Sequence, residues 1–237
     1  MGKAKMSKIA RKEAIEGYLC IAPWLIGFTC FTLGPMLFSI YISMCDWDII
    51  NAPKFVGFAN YQQALLHDFR FIQSLKVTIT YAIFALPMGL AGSLLVALLL
   101  NQNVKGMTWF RTIFYIPAVL PGIAVAMVWR WIFNPQYGLM NYLLGLLGIQ
   151  GPAWLFDPAT ALYAVVIASV WKDSGFSTVL FLAGLQGIPS EYQEAAQIDG
   201  ANAFQRLRYI TLPLITPTAF FVLITTLIGA FQVFDQM

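Results

Sequence analysis

The sequence predicts an all-α membrane protein in which several helices cross the bilayer as one bundle. Of its 237 residues, 59% are hydrophobic and only 11% are charged, whereas about a quarter of the residues in a typical soluble domain are charged. A soluble protein of this size could not bury so much apolar surface. The apolar residues are also gathered in stretches of about 20 residues or more, the length that a helix needs to cross the hydrocarbon core.

Five such stretches are present, and they cover residues 18–45, 72–100, 112–133, 159–186 and 213–235. They predict a transmembrane domain over residues 18–237, preceded by a basic tail at residues 1–17. The first stretch does not resemble a cleavable signal peptide, because its apolar run over residues 19–44 is longer than the roughly 7–15 residues of a signal core. Since the chain ends soon after the fifth stretch, we expect a sixth helix beyond Met237.

Seven prolines lie inside these stretches or at their ends. Each interior proline removes a backbone hydrogen bond and favours a kink. Such kinks fit either bent packing or a bundle that flexes around a central path. The prolines are Pro23, Pro35, Pro87, Pro117, Pro121, Pro213 and Pro217.

Lysine and arginine are distributed unevenly between the segments that join the stretches. If the N-terminus is cytoplasmic, the inside segments are residues 1–17, 101–111 and 187–212, and they hold nine basic residues, against two in the outside segments 46–71 and 134–158. Because basic residues accumulate on the cytoplasmic side, we expect the N-terminus to be cytoplasmic. The nine are Lys3, Lys5, Lys8, Arg11, Lys12, Lys105, Arg111, Arg206 and Arg208, and the two are Lys54 and Arg70.

Residues 187–212, here called the polar loop, interrupt two apolar stretches and are expected to form two short helices. Ser190 and Gln193 have the spacing of a capping box, Gly200 favours a helix end, and Asn202 is suited to cap the second helix. The loop could be an ordinary connection without a partner. A DNA-binding helix-turn-helix is disfavoured, because Glu191, Glu194 and neighbouring acidic residues would repel phosphate.

The spacing of residues in the polar loop is more specific than its helix signals. Glu194-Ala-Ala196 is followed after three residues by Gly200 and, nine residues later, by Ile210-Thr-Leu-Pro213. This pattern resembles the cytoplasmic signature of ABC-importer permeases. Four further segments resemble landmarks of the carbohydrate-uptake subgroup, the type of the maltose and glycerol-3-phosphate importers, and they are residues 55–61, 133–135, 168–172 and 198–201.

The resemblance implies a helical bundle of the type I ABC-importer permease kind in a bacterial cell membrane. The first helix of the polar loop would be a coupling helix that docks in a cleft of a separate ATPase, where small alanines permit close approach and Glu194 offers an anion. It assigns this coupling to Glu194, Ala195, Ala196, Asp199, Gly200, Ala201, Leu212 and Pro213. The implied partners are a second permease subunit, two ATPase subunits that bind ATP and Mg, and an external binding protein that delivers a sugar-like solute.

The chemistry of catalysis is absent from the sequence. It has no Gly-x-x-x-x-Gly-Lys-Ser/Thr phosphate loop, so we do not expect this chain to hydrolyse ATP. Its one histidine, His67, gives no His-paired metal site and no histidine relay for a nucleophile. We therefore predict no catalytic residue, no metal site and no cofactor in this chain, and no nucleic-acid partner.

Polar residues inside the fourth stretch are candidates for a solute pathway, because such residues are costly in lipid and usually face a path or a partner. The candidates are Trp171, Lys172, Asp173 and Ser177. The two charged residues fit a structural ion pair, a role in positioning the helix, or direct contact with the solute.

A second class of function is an ion-gradient carrier or channel in which the polar loop is regulatory, and a third is a membrane scaffold. A carrier would transport its solute alone, without ATP. The sequence lacks the repeated short half-helices that many such carriers contain, which favours the ATP-driven importer.

Overall fold

The computed structural model describes residues 7–102 and 104–232, and most of them are helical. The helices are α1 (Lys8–Phe28), α2 (Gly34–Ser43), α3 (Ala59–Gln62), α4 (Phe69–Leu100), α5 (Met107–Val119), α6 (Gly122–Ile132), α7 (Leu139–Leu146), α8 (Pro158–Gln186), α9 (Ser190–Ile198), α10 (Ala203–Arg206) and α11 (Leu212–Phe231). π-Helical turns cover Thr29–Leu33, Gln63–His67 and Leu207–Thr211, and a 3-10 turn covers Trp154–Phe156. Two short strands, β1 (Cys45–Asp46) and β2 (Lys54–Phe55), pair antiparallel.

Four helical segments are long and apolar enough to cross a membrane, and they match the first, second, fourth and fifth predicted stretches. They are Lys8–Ser43, Phe69–Leu100, Pro158–Gln186 and Ala203–Phe231. The predicted tail at residues 1–17 is helical from Lys8 onward, because the Ser7 hydroxyl accepts a hydrogen bond from the Ala10 N–H at 3.2 Å and charged residues with long side chains favour helix. Residues 1–6 of that tail and residues 233–235 of the fifth stretch lie outside the described residues.

The third predicted stretch, residues 112–133, is not one straight helix. It starts earlier and consists of α5 and α6, which meet at an angle of 100°. Pro121 causes the break, since its ring forces the preceding residue out of the helical conformation, and Leu120 is extended with φ −72° and ψ 141°. Together the two helices are long and apolar enough to form one membrane span.

The chain divides after Gln73 into two compact units. In the first unit, the side-chain amide of Asn60 donates to the carbonyls of Ser43 and Cys45 at 3.0 and 2.9 Å, which fixes the strand pair to the end of α2. Nearby, the carboxylate of Asp48 accepts hydrogen bonds from the N–H of Asn51 at 2.8 Å and from its side chain. These bonds hold the pKa of Asp48 below its usual value.

The second unit is built around α8, which packs against α4, α5 and α11. One cluster of buried residues joins Ala97 and Leu100 of α4 to Phe181 of α8 and to Ile215 and Val222 of α11. Because lipid is as apolar as these side chains, close van der Waals packing holds such helices together. Glycines of α8 provide the close approach: a methyl group at Gly175 would lie 2.8 Å from the carbonyl oxygen of Phe114 in α5.

The segment between α6 and α8 contains the short helix α7. Asn141 anchors it by donating to the carbonyls of Pro135 and Pro152 at 3.2 and 3.1 Å. Phe133, which is fully buried, stacks on Trp154 with ring centroids 5.0 Å apart. These contacts give the landmark at residues 133–135 a structural role.

Candidate functional site: the polar loop and an intramembrane cleft

The first helix of the polar loop, α9, is not capped as the sequence predicted. Pro189, not Ser190, occupies the capping position with φ −58° and ψ 136°, and no side chain caps this helix. The capping box fails because the helix starts at Ser190, one residue earlier than the pattern assumed, so Ser190 lies inside the first turn. Gln193 instead reaches across the loop, and its side-chain amide donates to the Thr211 hydroxyl at 3.2 Å. This bond ties α9 to the base of α11.

Gly200 ends α9 as predicted, in the left-handed conformation with φ +79°. The N–H of Ala201 donates to the carbonyl of Ala196 at 2.8 Å, and the N–H of Gly200 donates to the carbonyl of Gln197 at 3.1 Å. These two bonds are the pair that defines a Schellman motif. The motif reverses the chain within two residues and so fixes the direction of α9.

Asn202 caps the second helix of the loop as predicted. Its side chain accepts from the N–H of Gln205 at 2.9 Å, and the Gln205 side chain accepts from the N–H of Asn202 at 2.8 Å. The helix that begins here runs on through a π turn into α11, so Ala203–Phe231 is one helical segment. Pro213 is the second residue of α11 and directly follows the π turn, inside this continuous segment, where it has no N–H to donate to the preceding turn.

One face of α9 points away from the protein. Gln193 and Ala196 are partly covered, whereas Glu191, Glu194, Ala195 and Ile198 are exposed. These four residues follow the i, i+3, i+4, i+7 spacing of a single helix face. Ile198 is 87% exposed, so two carboxylates flank a bare apolar side chain on this outer face.

Four other predicted coupling residues line the inner side of the turn. A shallow cleft of about 350 Å³ is lined by Ala196, Asp199, Gly200, Ala201 and residues of the second helix. Leu212 is partly covered and Pro213 is exposed. The structure therefore places Glu194 and Ala195 on the outer face, four of the predicted residues at this inner cleft, and Leu212 and Pro213 at the start of α11.

An intramembrane cleft of about 520 Å³ lies between α4, α5, α8 and α11, and all of its lining residues belong to the second unit. Three of the four predicted pathway residues, Lys172, Asp173 and Ser177, line it. The Lys172 Nζ lies 3.6 Å from the Asp173 Oδ1, so the two charges form an ion pair. Trp171 does not line the cleft: its ring packs edge-on against Trp129, with centroids 5.6 Å apart.

Sequence reasoning missed the polar residues that other helices contribute to the cleft. They include Tyr81 and Ser93 of α4, Tyr115 of α5, and Thr225 of α11. Each contributes one hydroxyl to an apolar stretch that contains other hydroxyls as well. Which of these hydroxyls share a wall depends on how the helices pack, and this is not encoded in local sequence.

The described residues hold no group of three or more His, Cys, Asp or Glu side chains that could bind a metal ion. What the cleft offers is hydroxyl groups and one ion pair. Such a lining is suited to hydrogen-bonding a polar solute.

Comparison with known proteins agrees with this architecture. The sequence model of the family described as "Binding-protein-dependent transport system inner membrane component" matches residues 89–235. The probable ABC transporter permease protein YesP of Bacillus subtilis is 44% identical over 97% of this chain and 74% of its own length. The trehalose/maltose transport system permease protein MalF of Thermococcus litoralis is 40% identical over 97% of this chain and 78% of its own length.

A solved structure shares the fold. A chain of a bacterial ABC transporter involved in the import of the acidic polysaccharide alginate superposes with a TM-score of 0.75 and 26% identity, over 94% of this chain and 75% of that chain. The chain shares this fold, carries the polar loop and matches the family model over most of its length. It therefore belongs to the family of inner membrane components of binding-protein-dependent transport systems.

Proposed function

We propose that this chain is a membrane-spanning permease subunit of an ATP-driven importer that takes up a sugar-like solute delivered by an external binding protein. It would pair with a second permease subunit and with two ATPase subunits, which would bind the ATP and Mg that this chain is not expected to bind. The observation that carries the proposal is the outer face of α9, held by the Gly200 turn on a polar loop whose residue spacing is that of ABC-importer permeases.

The outer face has the composition of a docking surface for a protein. An exposed isoleucine between two carboxylates fits an apolar cleft with basic or amide groups at its rim, because interface cores bury apolar side chains and charged pairs set the orientation. Ala195 adds little bulk, so a partner surface can approach the helix backbone closely.

The structure also offers a mechanical connection from this face to the membrane. The Gln193–Thr211 hydrogen bond and the continuous helix from Ala203 to Phe231 join α9 to α11, which lines the intramembrane cleft. We propose that closure of the ATPase pair displaces α9 and that α11 carries this displacement to the cleft.

The solute class is supported by the relatives. The Thermococcus litoralis relative is named for trehalose and maltose, and a permease of Agrobacterium fabrum that is 35% identical is named for sn-glycerol-3-phosphate. A structure similar to this chain shows an alginate transporter in complex with a periplasmic protein loaded with an alginate pentasaccharide. A hydroxyl-lined cleft fits solutes of this kind.

The test is to place a charge on the outer face and measure assembly with the ATPase. Ile198→Asp should weaken association with the ATPase subunits at least tenfold and reduce solute-stimulated ATP hydrolysis in proteoliposomes by a similar factor, because a central apolar contact is usually a hot spot. Ile149→Asp is the matched control, since Ile149 is also exposed (53%) but lies outside the polar loop.

Unchanged association and hydrolysis in the Ile198→Asp protein would overturn the docking proposal. Solute uptake by this chain alone, driven by an ion gradient without ATP, would instead support the carrier alternative.

A further inference from the structure

The intramembrane cleft contains two opposite charges that compensate each other. Among the described residues that line it, only Lys172 and Asp173 carry a formal charge at neutral pH, and their charged atoms are 3.6 Å apart. This chain therefore contributes no net charge to the cleft.

Several hydroxyls of the cleft have already used their single proton. Ser93 donates to the carbonyl of Ser174 at 3.3 Å, Ser174 donates to the carbonyl of Trp171 at 3.0 Å, and Thr225 donates to the carbonyl of Phe221 at 3.0 Å. A hydroxyl has one donor and two acceptor positions, so what these three groups can still offer to a ligand is lone pairs.

These three groups therefore favour a ligand that donates hydrogen bonds. Carboxylates and phosphates only accept, so at these three groups their oxygens would face oxygen lone pairs. Moving an anion into a membrane cleft also requires an uncompensated cation, and the ammonium group of Lys172 is already paired with Asp173. The hydroxyl groups of an uncharged sugar, by contrast, are donors.

From this arrangement we infer that the cleft selects an uncharged, polyhydroxylated solute over an acidic or phosphorylated one, and that Asp173 maintains this selectivity by neutralising Lys172. The inference rests on the proposed function and adds the charge class of the solute, a property on which the relatives differ. Asp173 has the role of a specificity-determining residue that acts through Lys172.

The experiment measures solute binding to the complete complex, with its partner permease and ATPase subunits, in lipid nanodiscs and without the binding protein. The probes are radiolabelled maltotriose, which is neutral, and trigalacturonate, which is a trianion of similar size. We expect maltotriose to bind in the millimolar range or tighter, and a tenfold excess of trigalacturonate to leave its binding unchanged.

The variant Asp173→Asn removes the carboxylate and leaves Lys172 as an uncompensated cation. We expect the affinity for trigalacturonate to rise at least tenfold relative to that for maltotriose. Asp173→Glu keeps the charge and should keep the wild-type preference, which separates a charge effect from a folding defect. Glu16→Gln breaks the exposed Lys12–Glu16 pair, which has a similar 3.8 Å separation, and should change neither affinity.

Three results would overturn the inference: trigalacturonate competing as well as maltotriose in the wild type, no maltotriose binding by the wild type, or an unchanged preference in Asp173→Asn. These results are distinct from failure of the proposed function. If that function is wrong, the chain will not assemble with the ATPase subunits, whereas failure of the inference alone leaves an assembled complex with the wrong charge preference.

Discussion

At the scale of single residues, Gly200 is constrained by its backbone and not by its surroundings. A methyl group there would meet no described heavy atom within 4 Å, yet φ is +79°. An L-residue with a side chain pays roughly 1–2 kcal/mol for this conformation, and asparagine is the most tolerant of them. The direction of α9 thus depends on a torsion angle that most other residues would resist.

We predict that Gly200→Ala will reduce solute-stimulated ATP hydrolysis by the assembled complex about fivefold, because about 1 kcal/mol of strain favours conformations in which α9 no longer has its native direction. Gly200→Asn should retain most of the activity. The measurement is ATPase rate in proteoliposomes at equal amounts of assembled complex. Equal losses in both variants would mean that the partner needs a bare backbone at this position, and the strain argument would be rejected.

The residues at the start of α9 show where local sequence falls short. Ser190 and Gln193 satisfy the capping-box pattern, but Pro189 takes the capping position, and Gln193 bonds to Thr211, 18 residues further along the chain. Gly200 and Asn202 were predictable because their roles depend on their immediate neighbours. The bond from Gln193 depends on tertiary contact and was not.

At the scale of helices, the packing of α8 relies on small residues. Gly175 faces the backbone of α5, and Gly184 faces α11, where an added methyl group would lie 2.6 Å from the Thr218 hydroxyl oxygen. Membrane helices associate closely where small residues let their backbones approach. The α5 contact has the less room to adjust, because Gly175 meets a main-chain carbonyl, which cannot rotate away.

We predict that Gly175→Ala will destabilise the protein by about 1–3 kcal/mol, the usual cost of overpacking. Gly92→Ala in α4 is the control, since no described heavy atom lies within 4 Å of the added methyl group, and alanine favours helix by roughly 0.5–1 kcal/mol over glycine. The measurement is the unfolding midpoint in a titration from mild detergent into SDS. A Gly175→Ala protein as stable as Gly92→Ala would contradict the close α5–α8 contact.

Hydropathy predicted where the helices lie but not how each one ends or bends. The ends of α4 and α8 were predicted within three residues, because apolar residues give way there to turn residues. The polar start of α1 was missed, since its helical residues are charged. The break at Leu120 was not predicted either. A proline follows it, but a proline alone does not identify a break, because Pro23, Pro87 and Pro217 lie inside helices that continue through them.

At the scale of the whole molecule, the break between α5 and α6 decides the orientation of everything that follows. At 1.5 Å per residue, α5 and α6 are about 20 and 17 Å long, and each is shorter than the roughly 30 Å hydrocarbon core. If the α5–α6 pair crosses the membrane, α7 is outside and the polar loop is cytoplasmic. If the pair instead returns to the side of the membrane from which it entered, α7 is cytoplasmic and the polar loop is outside. Residues 134–158 contain no lysine or arginine, which favours the crossing.

We predict that the α5–α6 pair crosses the bilayer, and cysteine labelling can decide this. In a variant whose Cys20, Cys30 and Cys45 are replaced by serine, single cysteines would be placed at Lys105, Tyr142 and Gln197, all of which are exposed. In intact cells, a membrane-impermeant maleimide should label Tyr142→Cys but neither Lys105→Cys nor Gln197→Cys. The latter two variants should be labelled only after the cells are permeabilised. Labelling of each variant in detergent is the control for reactivity. A re-entrant pair would leave Lys105→Cys and Tyr142→Cys protected together and Gln197→Cys exposed to the outside, and in that arrangement the outer face of α9 could not reach a cytoplasmic ATPase.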